Sequence, residues 1–220
     1  IAIKLFSVLG YEISIAPLKD SGRTAISKGM VKRAKKIAKN NIDKIKNLVN
    51  ANCVMIGIEP SSLLSFRDEY PSLVEEDISE LTSHIYLFDE FIAKEIEENN
   101  IREEQFTEKE EKILLHGHCQ QKALIGSSYM EKMLSLPKNY SVQVIPSGCC
   151  GMAGSYGYEK RHYEKSKQIA DLVLTKAINQ AEQTTIISAP GTSCRDQIKH
   201  FTQRKALHPI EIMYNALKNK

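Results

Sequence analysis

The stretch that decides the fold is Ser141-Val142-Gln143-Val144-Ile145-Pro146-Ser147-Gly148-Cys149-Cys150-Gly151-Met152-Ala153-Gly154. Its first five residues alternate and carry β-branched side chains, so they read as a strand that ends at Pro146. A glycine-rich loop with two adjacent cysteines follows, and a helix is predicted from Tyr158 to Ala181. The same sequence of strand, glycine-bearing loop and helix recurs on either side. Upstream, Lys112 to Leu115 is a strand leading into His116-Gly117-His118-Cys119. Downstream, Thr185 to Ser188 leads into Gly191-Thr192-Ser193-Cys194, and Ala206-Leu207 leads into His208-Pro209 and a closing helix over 209–218. Strands separated by helices predict parallel sheets covered by helices, an α/β class.

In such a sheet, loops that follow strands gather at the carboxyl edge, where open α/β sheets bind ligands. Cys119, Cys149, Cys150 and Cys194 are therefore expected to face one crevice. Neighbouring residues of a regular strand point to opposite faces, so Cys149 and Cys150 can share a centre only from an irregular loop. Gly148, Gly151, Gly154 and Gly157 allow such a loop. Thiolates are soft donors suited to zinc or iron–sulfur clusters, and four of them suffice for a [4Fe–4S] centre. The fifth cysteine, Cys53, lies in the apolar run Cys53 to Ile58 and is expected to be an ordinary buried side chain. An odd cysteine count with two adjacent residues is a poor disulfide framework in a chain of 220 residues, so reduced thiols in a cytoplasmic setting are expected.

The first half has a similar layout. Glu12 to Ala16 reads as a strand, Lys19 to Arg23 as a loop, and an amphipathic helix follows with Val31, Ala34, Ile37, Ala38, Ile42, Ile45, Leu48 and Val49 at helical spacing. Cys53 to Ile58 is the next strand, and Glu59-Pro60-Ser61-Ser62 opens the next helix. Gly22 to Ser62 spans 40 positions and Gly151 to Cys194 spans 43. These matches predict two pseudo-repeated units, each a small parallel sheet covered by helices: 1–85, then an acidic helical connector 86–111, then 112–220. Residues 71–111 read as helical in outline and increasingly acidic.

Composition narrows the function further. A net charge of +3 and 26% charged residues give no field that would itself imply nucleic acid. The lysines of 28–46 form one basic face without interleaved aromatics, which reads as a solvated helix face. No apolar stretch approaches the roughly 20 residues of a membrane span. The chain opens at Ile1 within a predicted helix, which suggests a piece of a longer protein, with neither a signal peptide nor a transmembrane segment expected.

The strings His116-Gly117-His118-Cys119-Gln120-Gln121-Lys122, Ser147 to Glu159, Ala206-Leu207-His208-Pro209 and, in the first half, Gly57-Ile58-Glu59-Pro60-Ser61-Ser62 resemble the CCG cysteine-rich domain of heterodisulfide-reductase-like iron–sulfur proteins. The similarity is to the C-terminal region of FAD-linked oxidases of the D-lactate, glycolate and D-2-hydroxyglutarate dehydrogenase type. That resemblance implies an electron-transfer module with no catalytic residue of its own. Cys119, Cys149, Cys150 and Cys194 would hold a [4Fe–4S] cluster that accepts electrons from reduced FAD in a separate domain of a longer chain and passes them to an electron acceptor. His118, Gly151, Gly191, Arg195, His116 and His208 would lie beside the cluster. The implied setting is cytoplasmic, including a peripheral position at the inner face of the membrane.

Two departures stand out. The first half has Asp20-Ser21 where the family carries its cysteine pair and Ser62 in place of the last cysteine; in the second half Gly191 replaces the first cysteine of a CxxC pair. The five-thiolate set of noncubane clusters is therefore incomplete. A zinc ion held by the same four cysteines for structure or docking, and a thiol–disulfide enzyme, are the competing readings.

Overall fold

The computed structural model describes residues 1–219, and it is α/β, with helices around small parallel sheets. The chain forms two compact units, Ser14–Phe91 and a larger one made of Ile1–Ile13 with Ile92–Lys220.

In the unit Ser14–Phe91, the helix Val31–Ile45 buries Ala34, Ala38, Ile42 and Ile45 and leaves Lys32, Lys35, Lys36 and Lys39 in solvent. Strand β1, Met55–Gly57, pairs in parallel with β2, Ile85–Leu87. Between them Pro60 opens the helix Pro60–Arg67 at a position where its missing N–H costs nothing. Three expectations need correction here. Glu12 to Ala16 joins neither sheet, and Ile15 is 80% exposed, because no strand lies alongside to take its backbone hydrogen bonds. The apolar run starts its strand only at Met55; Cys53 sits in a turn where Asn50 Oδ1 accepts the N–H groups of Asn52 and Cys53, and its side chain is exposed. Within 71–111, which reads as helical in outline, the three-residue β2 interrupts the helices.

In the larger unit, β3 (Glu111–Leu115), β4 (Tyr140–Val144), β5 (Ile186–Ser188) and β6 (Ala206–Leu207) form one parallel sheet in the order β4-β3-β5-β6. Ile113, Leu114 and Leu115 are all buried, as a central parallel strand requires. The segment from Tyr158 to Ala181 is not one helix. Two 3-10 turns lead into Tyr163–Leu172, and Val173 (φ −140°) breaks the helix before Leu174–Gln180. The helix Ala2–Val8 packs on Pro209–Ala216, burying Leu5 and Phe6.

The strand order has a consequence for ligand binding. From β3 the chain moves outward to β4, then crosses back to β5 on the other flank of β3 and continues to β6. With right-handed crossovers the connections leaving β3 and β5 lie on opposite faces, so a crevice opens between the carboxyl ends of these two neighbours. Among the described residues no helix is long and apolar enough to cross a membrane.

Candidate metal centre

Each flank of that crevice supplies a thiol at the start of a helix. Cys119 is the first residue of the helix Cys119–Leu124, after β3. Cys194 lies in the first turn of Thr192–Thr202, after β5, where the helix dipole favours a thiolate. Cys149 and Cys150 come from the loop after β4. Cys150 and Cys194 are buried within the apolar cluster of Leu114, Ile145, Leu174, Ile187 and Ile198, while Cys119 and Cys149 are half-buried. All four are free thiols.

The adjacent cysteines share one centre because the loop is folded back and pinned. Gly151 has φ +97°, a conformation that L side chains rarely adopt. Ser166 Oγ donates to Gly151 O at 2.9 Å, and Gln197 Nε2 donates to Cys150 O and to Ser166 Oγ, each at 2.9 Å. Lys122 Nζ donates to the carbonyls of Ser147 and Gly148, the latter at 2.8 Å. Ser166, Gln197 and Ser147 are buried and were not legible as site residues, since none carries metal-ligand chemistry. Lys122, three positions after Cys119, gives no local signal of the loop it reaches.

The four sulfurs form a chain of contacts, and their proton affinities alternate along it. The hydrogen bond to Cys149, with burial, pushes the Cys119 thiol up. Bonds from Cys119 and Cys150, aided by the N–H groups of Gly151 and Ala153, hold Cys149 far below the ordinary thiol range. Gly151 N–H reaches Cys149 Sγ at 3.3 Å. Bonds to Cys149 and Cys194, together with burial, push Cys150 up. The bond from Cys150 holds Cys194 down against its burial, helped by the adjacent imidazole of His116 and by His118. Cys119 thus neighbours Cys149, Cys149 neighbours Cys150, and Cys150 neighbours Cys194.

The histidines separate by role. His116 is fully buried; its Nδ1 lies 2.8 Å from Ser147 Oγ, and one of its ring nitrogens lies with the sulfurs of Cys150 and Cys194, all three atoms within 4.8 Å of one another. With Nδ1 engaged by the serine, Nε2 is the nitrogen left for that group. His118 starts the Cys119 helix through its main chain, and its buried ring lies over Gly191. His208 caps the last helix, its Nδ1 accepting the N–H of Ile210 at 3.1 Å. Arg195 donates to the carbonyls of Ala189 (3.0 Å) and Pro190 (2.6 Å), tying the β5 loop rather than pointing its charge at sulfur. Asp20 Oδ1 accepts Gly22 N–H at 2.8 Å, Arg23 pairs with Glu69, and Arg67 pairs with Glu90 at 2.7 Å.

Four thiols from three loops, plus a buried imidazole nitrogen with no nitrogen or oxygen partner, are a donor set suited to zinc or to an iron–sulfur cluster. The geometry therefore defines a cysteine-rich domain with a candidate metal site. In agreement, residues 113–199 match the model of the CCG family, a cysteine-rich domain. Across 98% of its length the chain is 27% identical to D-2-hydroxyglutarate dehydrogenases of Escherichia coli strain K12 and Haemophilus influenzae. It spans 21% of those two relatives. It is also 27% identical to a subunit of the anaerobic glycerol-3-phosphate dehydrogenase of E. coli K12, and it spans 54% of that relative. No solved structure matches.

Proposed function

We propose that the chain is the iron–sulfur electron-transfer module of an FAD-linked dehydrogenase acting on a D-2-hydroxy acid, of which D-lactate and D-2-hydroxyglutarate are examples. What supports this is the run of sulfur contacts linking Cys119, Cys149, Cys150 and Cys194, which follow β3, β4 and β5. The names of the relatives, all dehydrogenases, support the oxidoreductase setting. FAD, bound by a separate domain of the same protein, would take two electrons as the 2-hydroxy acid becomes a 2-oxo acid. A cluster at this site would supply one-electron transfer from the flavin toward an acceptor. This chain's own part is to hold four thiolates in a low-dielectric wall and to aim backbone N–H groups at the sulfurs, which sets the potential of the group they hold. The protein would work in the cytoplasm or on the inner face of the membrane. The two-unit repeat fits a duplicated CCG unit, 1–85 and 112–220 joined by 86–111, whose first copy has exchanged thiols for ion pairs.

One observation favours a second reading. Ligand atoms within 4.8 Å of one another, as in His116, Cys150 and Cys194, suit a single tetrahedral ion, since Zn–S bonds of about 2.3 Å place donors roughly 3.7 Å apart. Anaerobic reconstitution with iron and sulfide separates the two. About four iron and four sulfide per chain, with an EPR signal after reduction, are expected. Cys149→Ser and Cys194→Ser should abolish that uptake, and Cys53→Ser should leave it unchanged. One zinc without sulfide overturns the cluster reading, and loss of iron on Cys53→Ser with retention on Cys149→Ser overturns the ligand set.

A further inference from the structure

We infer that His116, through Nε2, is itself a ligand of the group held between Cys150 and Cys194, so that the centre is a mixed cysteine–histidine site. The inference rests on reading the cysteines as a metal site, but not on which metal they take.

Four observations lead to it. The backbone of His116 is fixed, because its N–H donates to Ser188 O at 2.8 Å and so extends the β3–β5 ladder by one residue beyond Leu115. Its ring is fully buried, and Nδ1 is engaged with Ser147 Oγ at 2.8 Å. That partner can hold the neutral tautomer with the proton on Nδ1, leaving the Nε2 lone pair free, as in metal-bound histidines oriented by a second hydrogen bond. Nε2 has no nitrogen or oxygen partner and is buried beside two sulfurs. An unpaired buried nitrogen is costly, and a metal bond satisfies it.

Gly191 closes the argument. A Cβ placed there would stand 2.6 Å from His118 Cδ2 and 3.1 Å from Cys194 Sγ. The ring of His118 thus occupies the space that a side chain at 191 would need. His116, at the end of β3, offers a ring nitrogen within 4.8 Å of the sulfurs of Cys150 and Cys194.

The test uses the whole 220-residue chain, grown with ¹⁵N-histidine, loaded anaerobically with iron and sulfide, reduced, and read by pulsed EPR. A strong nitrogen coupling that shifts with the label is expected. It should persist in His118→Gln and vanish in His116→Gln. Ser147→Ala, which removes the orienting hydroxyl without touching the imidazole, should change the coupling even if His116→Gln fails to fold. A loaded cluster with no label-sensitive strong coupling overturns ligation by His116 and leaves the cluster reading standing. A coupling lost in His118→Gln but kept in His116→Gln also overturns it. If the chain takes zinc and no sulfide, the cluster reading falls, and zinc-edge X-ray absorption decides the inference: a histidine nitrogen in the shell supports it, and an all-sulfur shell overturns it. A chain that takes neither metal overturns both.

Discussion

Gly151→Ala tests the claim that the cysteine pair is held by a backbone only glycine allows. At φ +97° an L residue is strained by roughly 1–2 kcal/mol. The added Cβ would also stand 2.2 Å from the main-chain oxygen of Ser166 and 2.9 Å from Gln197 Nε2. The oxygen belongs to a helix and cannot swing aside, so the loop must move, and overpacking of this kind costs about 1–3 kcal/mol. Together these give a loss of about 2–5 kcal/mol. With a urea slope of roughly 1–3 kcal/mol per M, the unfolding midpoint should fall by about 1–2 M. The assay is urea denaturation of the metal-free, reduced chain followed by circular dichroism. Gly148→Ala is the control: nothing lies within 4 Å of its Cβ position, and the change should be within about 0.5 kcal/mol of wild type. Equal stability of the two variants would refute the reasoning.

Gln197→Ala leaves Cys150 O without its 2.9 Å donor in a buried setting and should cost about 1–3 kcal/mol in the same denaturation assay. Arg67→Ala strips the cation from Glu90, whose side chain is 10% exposed and also accepts Leu87 N–H at 2.9 Å; a loss of about 1–3 kcal/mol is expected, recovered in part by Glu90→Gln in the same background. Burial pushes the Tyr70 phenol up from 10.0 to about 12, opposed by the hydrogen bond from Asn41. Because the folded state favours the neutral phenol, this contribution is complete below pH 10 and disappears as the pH rises to about 12. The stability gap between wild type and Tyr70→Phe should therefore shrink over that interval; a constant gap would show that the phenol is not buried neutral.

The larger unit was legible because its signals are local. Ile113–Leu115 and Ile186–Ser188 are short apolar runs, each followed within a few residues by glycine and cysteine, and strand followed by helix leaves a parallel sheet as the simple solution. The same reading misplaced Glu12 to Ala16, since alternation describes a residue's faces but not whether a neighbouring strand exists to pair with it. It missed β2 because Ile85-Tyr86-Leu87 is too short to outweigh the helical residues on both sides, and its strand identity comes only from pairing with Met55–Gly57. It placed Cys53 inside a strand because side-chain polarity alone cannot see Asn50 capping a turn at that point. In the site, the four cysteines were legible by chemistry. Ser147, Ser166, Lys122 and Gln197 were not, since they orient a ring or hold backbone carbonyls that become neighbours only in the folded chain.

That division of labour has an electrostatic consequence. The two cations closest in sequence to the cysteine loops, Lys122 and Arg195, are committed to carbonyl oxygens. What faces the sulfurs is the backbone N–H of Gly151, the imidazole of His116, the thiols of one another and an apolar wall. Four thiolates in such a place would repel one another strongly, so the charge has to be neutralised by protons or by a metal. Sulfur neighbours and burial push the Cys119 and Cys150 thiols up, while sulfur neighbours hold Cys149 and Cys194 down against their burial. A cationic metal group would neutralise the sulfurs by binding them in place of protons. With Lys122 and Arg195 held by carbonyl oxygens, that neutralisation is left to protons or to a bound cation.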